Sequence, residues 1–342
     1  MRIISKPTTS NCNIEMYTSY LISEPNHISC TRLSTIVGQE ASHDSINRFL
    51  AREEFTPKDL FNEVYGEIIL EGGTLSCDDM VIDKPYRNPK LTELVSYFWS
   101  GKHKKAVKGI NLITLYYTDD NSVQVPVNYR VYDKNDNKSK NDYMQDMIGE
   151  VINWGLSPKF ITGDSWYSGL NNLKFIKKYK LNFCFGISSN RLVSIEYGKF
   201  IQVQNLKHWN EDGEIVYLKD YGQVKIYKQE FKEGFRYYIL GLSNESHLQS
   251  LLKVDFERIR KEHWNIETFH RAIKQLCGIE KFFVRQTRCI MTHIYSSLIS
   301  FVKLEFLKTK RKIDTWYQIK RDLFVDVIRK FILGKTMQNL IA

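Results

Sequence analysis

The order in which hydrophobic periods follow one another constrains this chain most. From residue 66 three runs rich in β-branched and aromatic residues succeed each other: GEIILEGGTLSCDDMVI, KGINLITLYYT and SVQVPVNYRVY. Such runs read as strands, and Thr118-Asp119-Asp120-Asn121 between the last two is turn chemistry. The period then switches. NDYMQDMIGEVINWG has helical spacing, KFITGD is a short strand, NNLKFIKKYK a basic amphipathic helix and NFCFGIS a buried strand. Three strands followed by helix, strand, helix, strand, a hairpin pair leading into alternating strand and helix, argue for a mixed α/β sheet.

The flanks read differently. Residues 1 to 65 are polar and helical. Within them TRLSTIVGQEASHDSINRFLAREEF places Leu33, Ile36 and Val37, then Ile46, Phe49 and Leu50, on either side of Gly38 and a Ser42 or Asp44 cap. Two short helices around such a turn predict a helix-turn-helix, whose second helix offers Ser45, Asn47 and Arg48 to a duplex; a plain helical hairpin is the alternative. Residues 191 to 242 form short strands with Gly turns, an all-β insertion. A long helix is predicted from about Ser246 to Gln275 with Gly278 as its stop, then an apolar helix over 288–307. The expected organisation is a helical DNA-binding region (1–65), a catalytic domain (66–305) with its insertion, and a basic helical tail (306–342).

Forty-nine Lys and Arg against 39 Asp and Glu leave a net charge of +10, so a polyanion is the expected partner, nucleic acid before membrane. The six cysteines, at 12, 30, 77, 184, 277 and 289, form no CxxC pair, which excludes a zinc ribbon or redox motif and reads as reduced core thiols. No signal peptide and no uninterrupted 18-residue apolar run is present, so a cytoplasmic chain without a membrane span is expected.

Acids stand in three notable contexts. Asp78 and Asp79 interrupt the strand pattern LSCDDMVID, where propensity and burial disfavour charge. Asp164 ends the strand KFITGD, and sites in α/β sheets gather at the carboxyl ends of strands. Glu267 lies in the long helix. At about 100° per residue, Arg260, His263, His270, Arg271 and Lys274 fall within roughly 60° of it, while Ile259, Ile266, Phe269, Ile273 and Leu276 lie outside that arc. That face is either a solvated surface with a Glu267–Arg271 pair, or a surface that grips a phosphate backbone while the carboxylate holds metal. Several carboxylates suit two Mg²⁺ ions about 3.5–4 Å apart. Other chemistries lack their motifs: no HExxH, GxSxG, GxxxxGK[ST] or GxGxxG occurs.

CDDMVIDKPY, GINLITLYY, GDSWYSG and HWNIETFHRAIKQLCGIEKFFVRQ, in that order across about residues 65 to 305, resemble the DDE transposases of bacterial insertion sequences. This is the cut-and-paste group with a ribonuclease H-like catalytic domain. SHDSINRFL resembles that group's DNA-binding region, and the β-rich stretch before Glu267 its strand insertion. The resemblance implies Asp79, Asp164 and Glu267 as catalytic, metal-binding acids for two Mg²⁺ or Mn²⁺ ions, with Lys274 and Arg271 on phosphate. On the Glu helix Lys274 fits the family pattern and Trp264 precedes the Glu as in related members. Arg260 stands where the family has Tyr, and His263 where it has Arg. Met80 replaces a Thr common in relatives, and Asp78 and Asp83 remain rivals for the first acid. Adjacent strand residues face opposite sides, so only one of Asp78 and Asp79 points at a site; the resemblance selects Asp79.

The implied function is binding of double-stranded DNA at terminal inverted repeats as a homodimer, cleavage of 3′ ends and their transfer to target DNA, in the bacterial cytoplasm at the nucleoid. The alternatives are a ribonuclease H-like metal nuclease without strand transfer, and an inactive DNA-binding protein derived from a transposase.

Overall fold

The thirteen residues Glu71–Asp83 form β1, around which the catalytic region is arranged. The computed structural model describes residues 10–101, 103–232 and 234–333. β1 pairs antiparallel with β3 (Lys105–Thr118), which pairs antiparallel with β4 (Gln124–Tyr132). On its other edge β1 takes the parallel strand β5 (Ser157–Gly163), followed by parallel β6 (Asn182–Ile187). The predicted mixed sheet is therefore present. A further short strand, β2 (Ser96–Ser100), pairs with β3; five residues of SYFWS between polar turns give too little periodicity to be read as a strand.

The insertion supplies β7 (Leu192–Ser194), β8 (Ile201–Gln202), β9 (Glu214–Leu218), β10 (Gly222–Phe231) and β11 (Gly234–Gly241). It does not fold apart from the sheet. β11 pairs antiparallel with β6 from Gly241↔Phe183 to Tyr237↔Ile187, so that the sheet of described residues runs to eleven strands. Without that pairing β6 would be an open edge with unpaired backbone groups.

Helices cover both faces. α5 (Lys140–Asn153) and α6 (Leu170–Lys178) are the predicted crossover helices, α5 opening on a Ser139–Asp142 capping box. α7 (Lys253–Leu276) starts seven residues later than the periodicity suggested, because Glu245–Ser250 is a 3-10 segment whose first turn is capped by the Asn244 side chain. It ends as expected before Gly278, whose φ of +63° suits glycine. α7 buries Ile259, Ile266, Phe269, Ile273 and Leu276, the residues expected to turn away from Glu267. Tyr116 of β3 stacks on Phe269, 4.7 Å between ring centres.

α8 (Thr287–Arg311) is long and apolar enough to cross a membrane, but 78% of its most apolar stretch is buried inside the fold, where it serves as a core helix. The N-terminal helices α1 (Ile14–Ser23), α2 (Cys30–Val37), α3 (His43–Arg52) and α4 (Pro57–Val64) precede the sheet. Tyr17, Leu21, Leu33, Ile46, Phe49 and Leu50 make a small separate core with Cys289 of α8. The Tyr17 hydroxyl lies 3.0 Å from His293 Nδ1, tying this unit to α8. Ser42 caps α3, accepting from the Ser45 N–H, and Gly38 at φ +60° makes the turn between α2 and α3. α9 (Trp316–Asp322) and α10 (Val325–Ile332) complete the described chain.

Candidate active site

Side chains on a strand alternate between faces, and the β1–β3 register pairs Asp78 with Thr114 and Asp79 with Ile113. The face shared by Thr74, Ser76 and Asp78 carries α7. Thr74 bonds to Glu262. Ser76 bonds to Thr162 at 2.8 Å, and Thr162 to His263 at 3.1 Å. His270 Nε2 meets Thr114 at 3.0 Å, and its Nδ1 comes to 3.6 Å from Asp78. Thr162 of β5 therefore points to the α7 face, and Asp164, two residues on, leaves the strand toward the same side. Gly163 is required between them, since a Cβ there would stand 2.6 Å from the Phe185 ring. Asp164 Oδ1 accepts from the Trp166 N–H at 2.9 Å and so caps the 3-10 turn Ser165–Tyr167.

Asp79 turns the other way. Its Oδ2 accepts from Asn111 Nδ2 at 2.6 Å and Lys140 Nζ at 2.7 Å, and its Oδ1 from the Tyr167 hydroxyl at 2.9 Å. Of the two β1 acids, Asp78 is thus the one on the face of Glu267, whereas the resemblance had selected Asp79. Tertiary placement of α7 decides this; the local sequence does not.

All four acids, Asp78, Asp79, Asp164 and Glu267, line one cleft of about 1010 Å³ with Lys140, Arg271 and Lys274. Burial, then the Glu267, Asp79 and Asp164 carboxylates, push Asp78 well above the usual carboxylate range. Burial and then Asp164 raise Glu267, against the guanidinium groups of Arg271 and Arg236. Burial raises Asp164, opposed by the Trp166 N–H and reinforced by Asp79. Carboxylates that repel one another beside a cleft are hard-oxygen donors, which is the donor chemistry of Mg²⁺ or Mn²⁺. Among the described residues no group of three or more His, Cys, Asp or Glu side chains is placed so that it could hold a metal ion.

The chain matches the model of the transposase DDE domain over residues 89–302, more than half its length. This chain belongs to the DDE-domain transposases. The matched span begins after β1, so the two β1 acids of this transposase lie ahead of it. Its structure is similar to a piggyBac transposase solved as a synaptic complex with hairpin DNA, at 14% identity and a TM-score of 0.54, covering 94% of this chain and 71% of that one. A likeness that distant shows the fold, a ribonuclease H-like mixed sheet with helices at both ends. Weaker similarity extends to the Drosophila P element transposase (11% identity, TM-score 0.29, covering 88% and 65%) and to the Mos1 transposase (11%, 0.20, covering 54% and 61%). No curated protein sequence matches it.

The other predicted residues divide. Arg271 is exposed in the cleft of the transposase, and Lys274 lines it while bonding to the Val81 carbonyl at 2.6 Å and to Glu280 at 2.9 Å. His263 and His270 do not offer themselves to DNA: they hydrogen-bond to sheet threonines, and burial lowers them to pKa about 4 and about 3. At 3.6 Å the contact of neutral His270 with Asp78 is therefore no ion pair. Arg260 is half-buried with its Nε unpartnered, and Trp264 is exposed outside the cleft lining. On α3 Ser45 is buried, its Oγ accepting from the Asn11 N–H at 2.6 Å, so it is a packing residue. Asn47 and Arg48 are half-buried, Asn47 against His43. Sequence reasoning missed Lys140, Asn111 and Tyr167; Tyr167 stands in the GDSWYSG motif, whereas Lys140 and Asn111 reach Asp79 through the fold alone.

Proposed function

We propose that this transposase binds the inverted terminal repeats of its own element as a homodimer, cuts their 3′ ends and joins them to target DNA in a metal-dependent reaction. The observation that carries the reading is the convergence of acids from β1, the end of β5 and α7 on one cleft flanked by lysine and arginine. Asp78, Asp164 and Glu267, the acids of the α7 side, hold divalent cations, Mg²⁺ or Mn²⁺. Such cations supply Lewis acidity and counter-charge at the phosphate under attack. Arg271 and Lys274 hold the phosphate backbone beside the acids, and their positive charge compensates the polyanion. In the first step water attacks the phosphorus at the element end, the P–O3′ bond breaks, the 3′ oxygen leaves as a hydroxyl and the phosphate stays on the 5′ end of the flanking strand. The freed 3′-hydroxyl then attacks a target phosphate in line, and the target's own 3′ oxygen leaves. The α2–α3 pair is assigned to duplex binding, with Asn47 and Arg48 as its polar residues. The reaction takes place on DNA in the bacterial cytoplasm.

The test is a strand-transfer assay with end oligonucleotides, supercoiled target and Mg²⁺. Joined products that disappear with Asp164→Asn or Glu267→Gln are expected. Hydrolysis without joining supports a nuclease instead, and metal-independent binding without cleavage supports an inactive DNA-binding protein.

A further inference from the structure

We infer that Asp79 is a positioning residue: it fastens to β1 the turn that carries Asp164, while Asp78 serves the cations. This rests on the metal-dependent reading above and assigns separate work to two adjacent acids. Three donors from three different elements converge on the Asp79 carboxylate: Asn111 of β3, Lys140 at the first turn of α5, and Tyr167 of the 3-10 turn. Both of its oxygens are engaged, by short bonds of 2.6–2.9 Å. Charge-assisted bonds of this kind hold geometry strongly.

The link from Asp79 to Asp164 is short and continuous. Tyr167 is fully buried, and its own N–H donates to the Asp164 carbonyl at 3.2 Å. The neighbouring Trp166 N–H donates to the Asp164 carboxylate at 2.9 Å. From the other side, Asn172 Nδ2 of α6 donates to the Tyr167 carbonyl at 3.0 Å and to Asn141 Oδ1 of α5 at 2.7 Å. Gln145 of α5 in turn donates to Asn172 Oδ1 at 2.8 Å. The turn is thereby clamped between β1, α5 and α6, and the direction of the Asp164 carboxyl is set by that clamp. The Asp79 carboxylate accepts from a lysine, an amide and a phenol, whereas Asp78 accepts one bond, from the Asp79 N–H at 2.8 Å. Groups that orient metal-binding side chains are commonly worth 10–100-fold in metal affinity or activity.

The experiment uses the full chain and follows Mn²⁺ binding by electron paramagnetic resonance, together with kcat and KM for cleavage of an end oligonucleotide. Asn at position 79 still accepts from Tyr167, so a clamp tolerates it better than Leu, while a metal ligand tolerates neither. Asp79→Asn and Tyr167→Phe are expected to keep Mn²⁺ binding, to lower kcat by about tenfold and to leave KM unchanged. Asp79→Leu is expected to be worse, and the Asp79→Asn/Tyr167→Phe double variant no worse than the poorer single one, as one shared link requires. Asp78→Asn is expected to lose Mn²⁺ binding. The inference is overturned if Asp79→Asn abolishes Mn²⁺ binding, or if Tyr167→Phe cleaves like the wild type. Mn²⁺ binding that survives Asp78→Asn, Asp164→Asn and Glu267→Gln together would instead refute the metal reading, and the coupling of positions 79 and 167 would still judge the clamp. Should Asp79→Leu fail to fold, the Asn and Phe variants decide.

Discussion

Asp78→Asn is expected to stabilise the cation-free protein while destroying its response to metal. The carboxylate is 14% exposed and crowded by three others. Its pKa is raised in the fold, so the stability it contributes is complete below the unfolded value near 3.8 and is lost as pH rises through the folded value. Ionising it puts a charge into a site that disfavours charge. Asn keeps the shape and the acceptor for the Asp79 N–H at 2.8 Å. It forfeits no ion pair, because His270, 3.6 Å away, has a pKa of about 3 and is neutral there. Replacing a buried ion pair by neutral residues of similar volume is often neutral or stabilising, by about 1–4 kcal/mol, and the same desolvation cost is relieved here. Near the middle of that range, a chain of this size gains roughly 4 °C in Tm. Wild type should gain about 2.7 kcal/mol from Mn²⁺ at a hundred times its Kd, roughly 4 °C, and the variant almost nothing. Thermal unfolding at pH 8 with chelator and with Mn²⁺ measures both shifts. A lower Tm for Asp78→Asn in chelator, or an undiminished Mn²⁺ response, would refute the crowding argument.

Arg271→Ala should weaken DNA binding without changing sequence preference and reduce the slope of log affinity against log salt by about 0.9, read by fluorescence anisotropy across a salt series. Ser45→Ala should cost about 1 kcal/mol in a urea titration, the value of a lost internal hydrogen bond, with DNA affinity unchanged, because Ser45 is buried against Asn11 and Ser42. The histidines that hydrogen-bond to the sheet make the fold sensitive to acid. His263 has its pKa lowered to about 4, so its contribution is present above pH 6.5 and declines as pH falls toward 4, at up to about 1.4 kcal/mol per pH unit. Urea midpoints at pH 7.5 and pH 5 should fall less steeply for His263→Asn than for wild type.

The legible part of the site is the part written in local pattern. A strand ending in Gly163-Asp164 and a turn into a helix are visible in ITGDSWYSG, and the close approach of Phe185 to Gly163 shows why the glycine stands there. The buried stripe of α7 was likewise legible, since Ile259, Ile266, Phe269, Ile273 and Leu276 repeat at the helical period and are the residues that pack. The opposite face was read too simply. A helical wheel groups His263 and His270 with Glu267, but it carries no information on how deep the helix sinks onto the sheet. In the fold both histidines dip to Thr162 and Thr114 and leave the solvent face. The same limit applies to Ser45, a polar residue that the turn Ser42–Ser45 and the segment at Ser10 and Asn11 enclose.

What the sequence determined by itself is the order of the longer strands and helices, β2 excepted, because hydrophobic period and turn chemistry act over a few neighbouring residues. It also placed acids at strand ends and on a helix, where their identity carries chemistry. Tertiary structure alone decided which acid of the Asp78-Asp79 pair shares a face with α7, and that β11 would close the edge of β6. Both depend on contacts between residues far apart in the chain. Strand alternation states that two adjacent side chains part company, and only the helix packed on one face says which of them it meets.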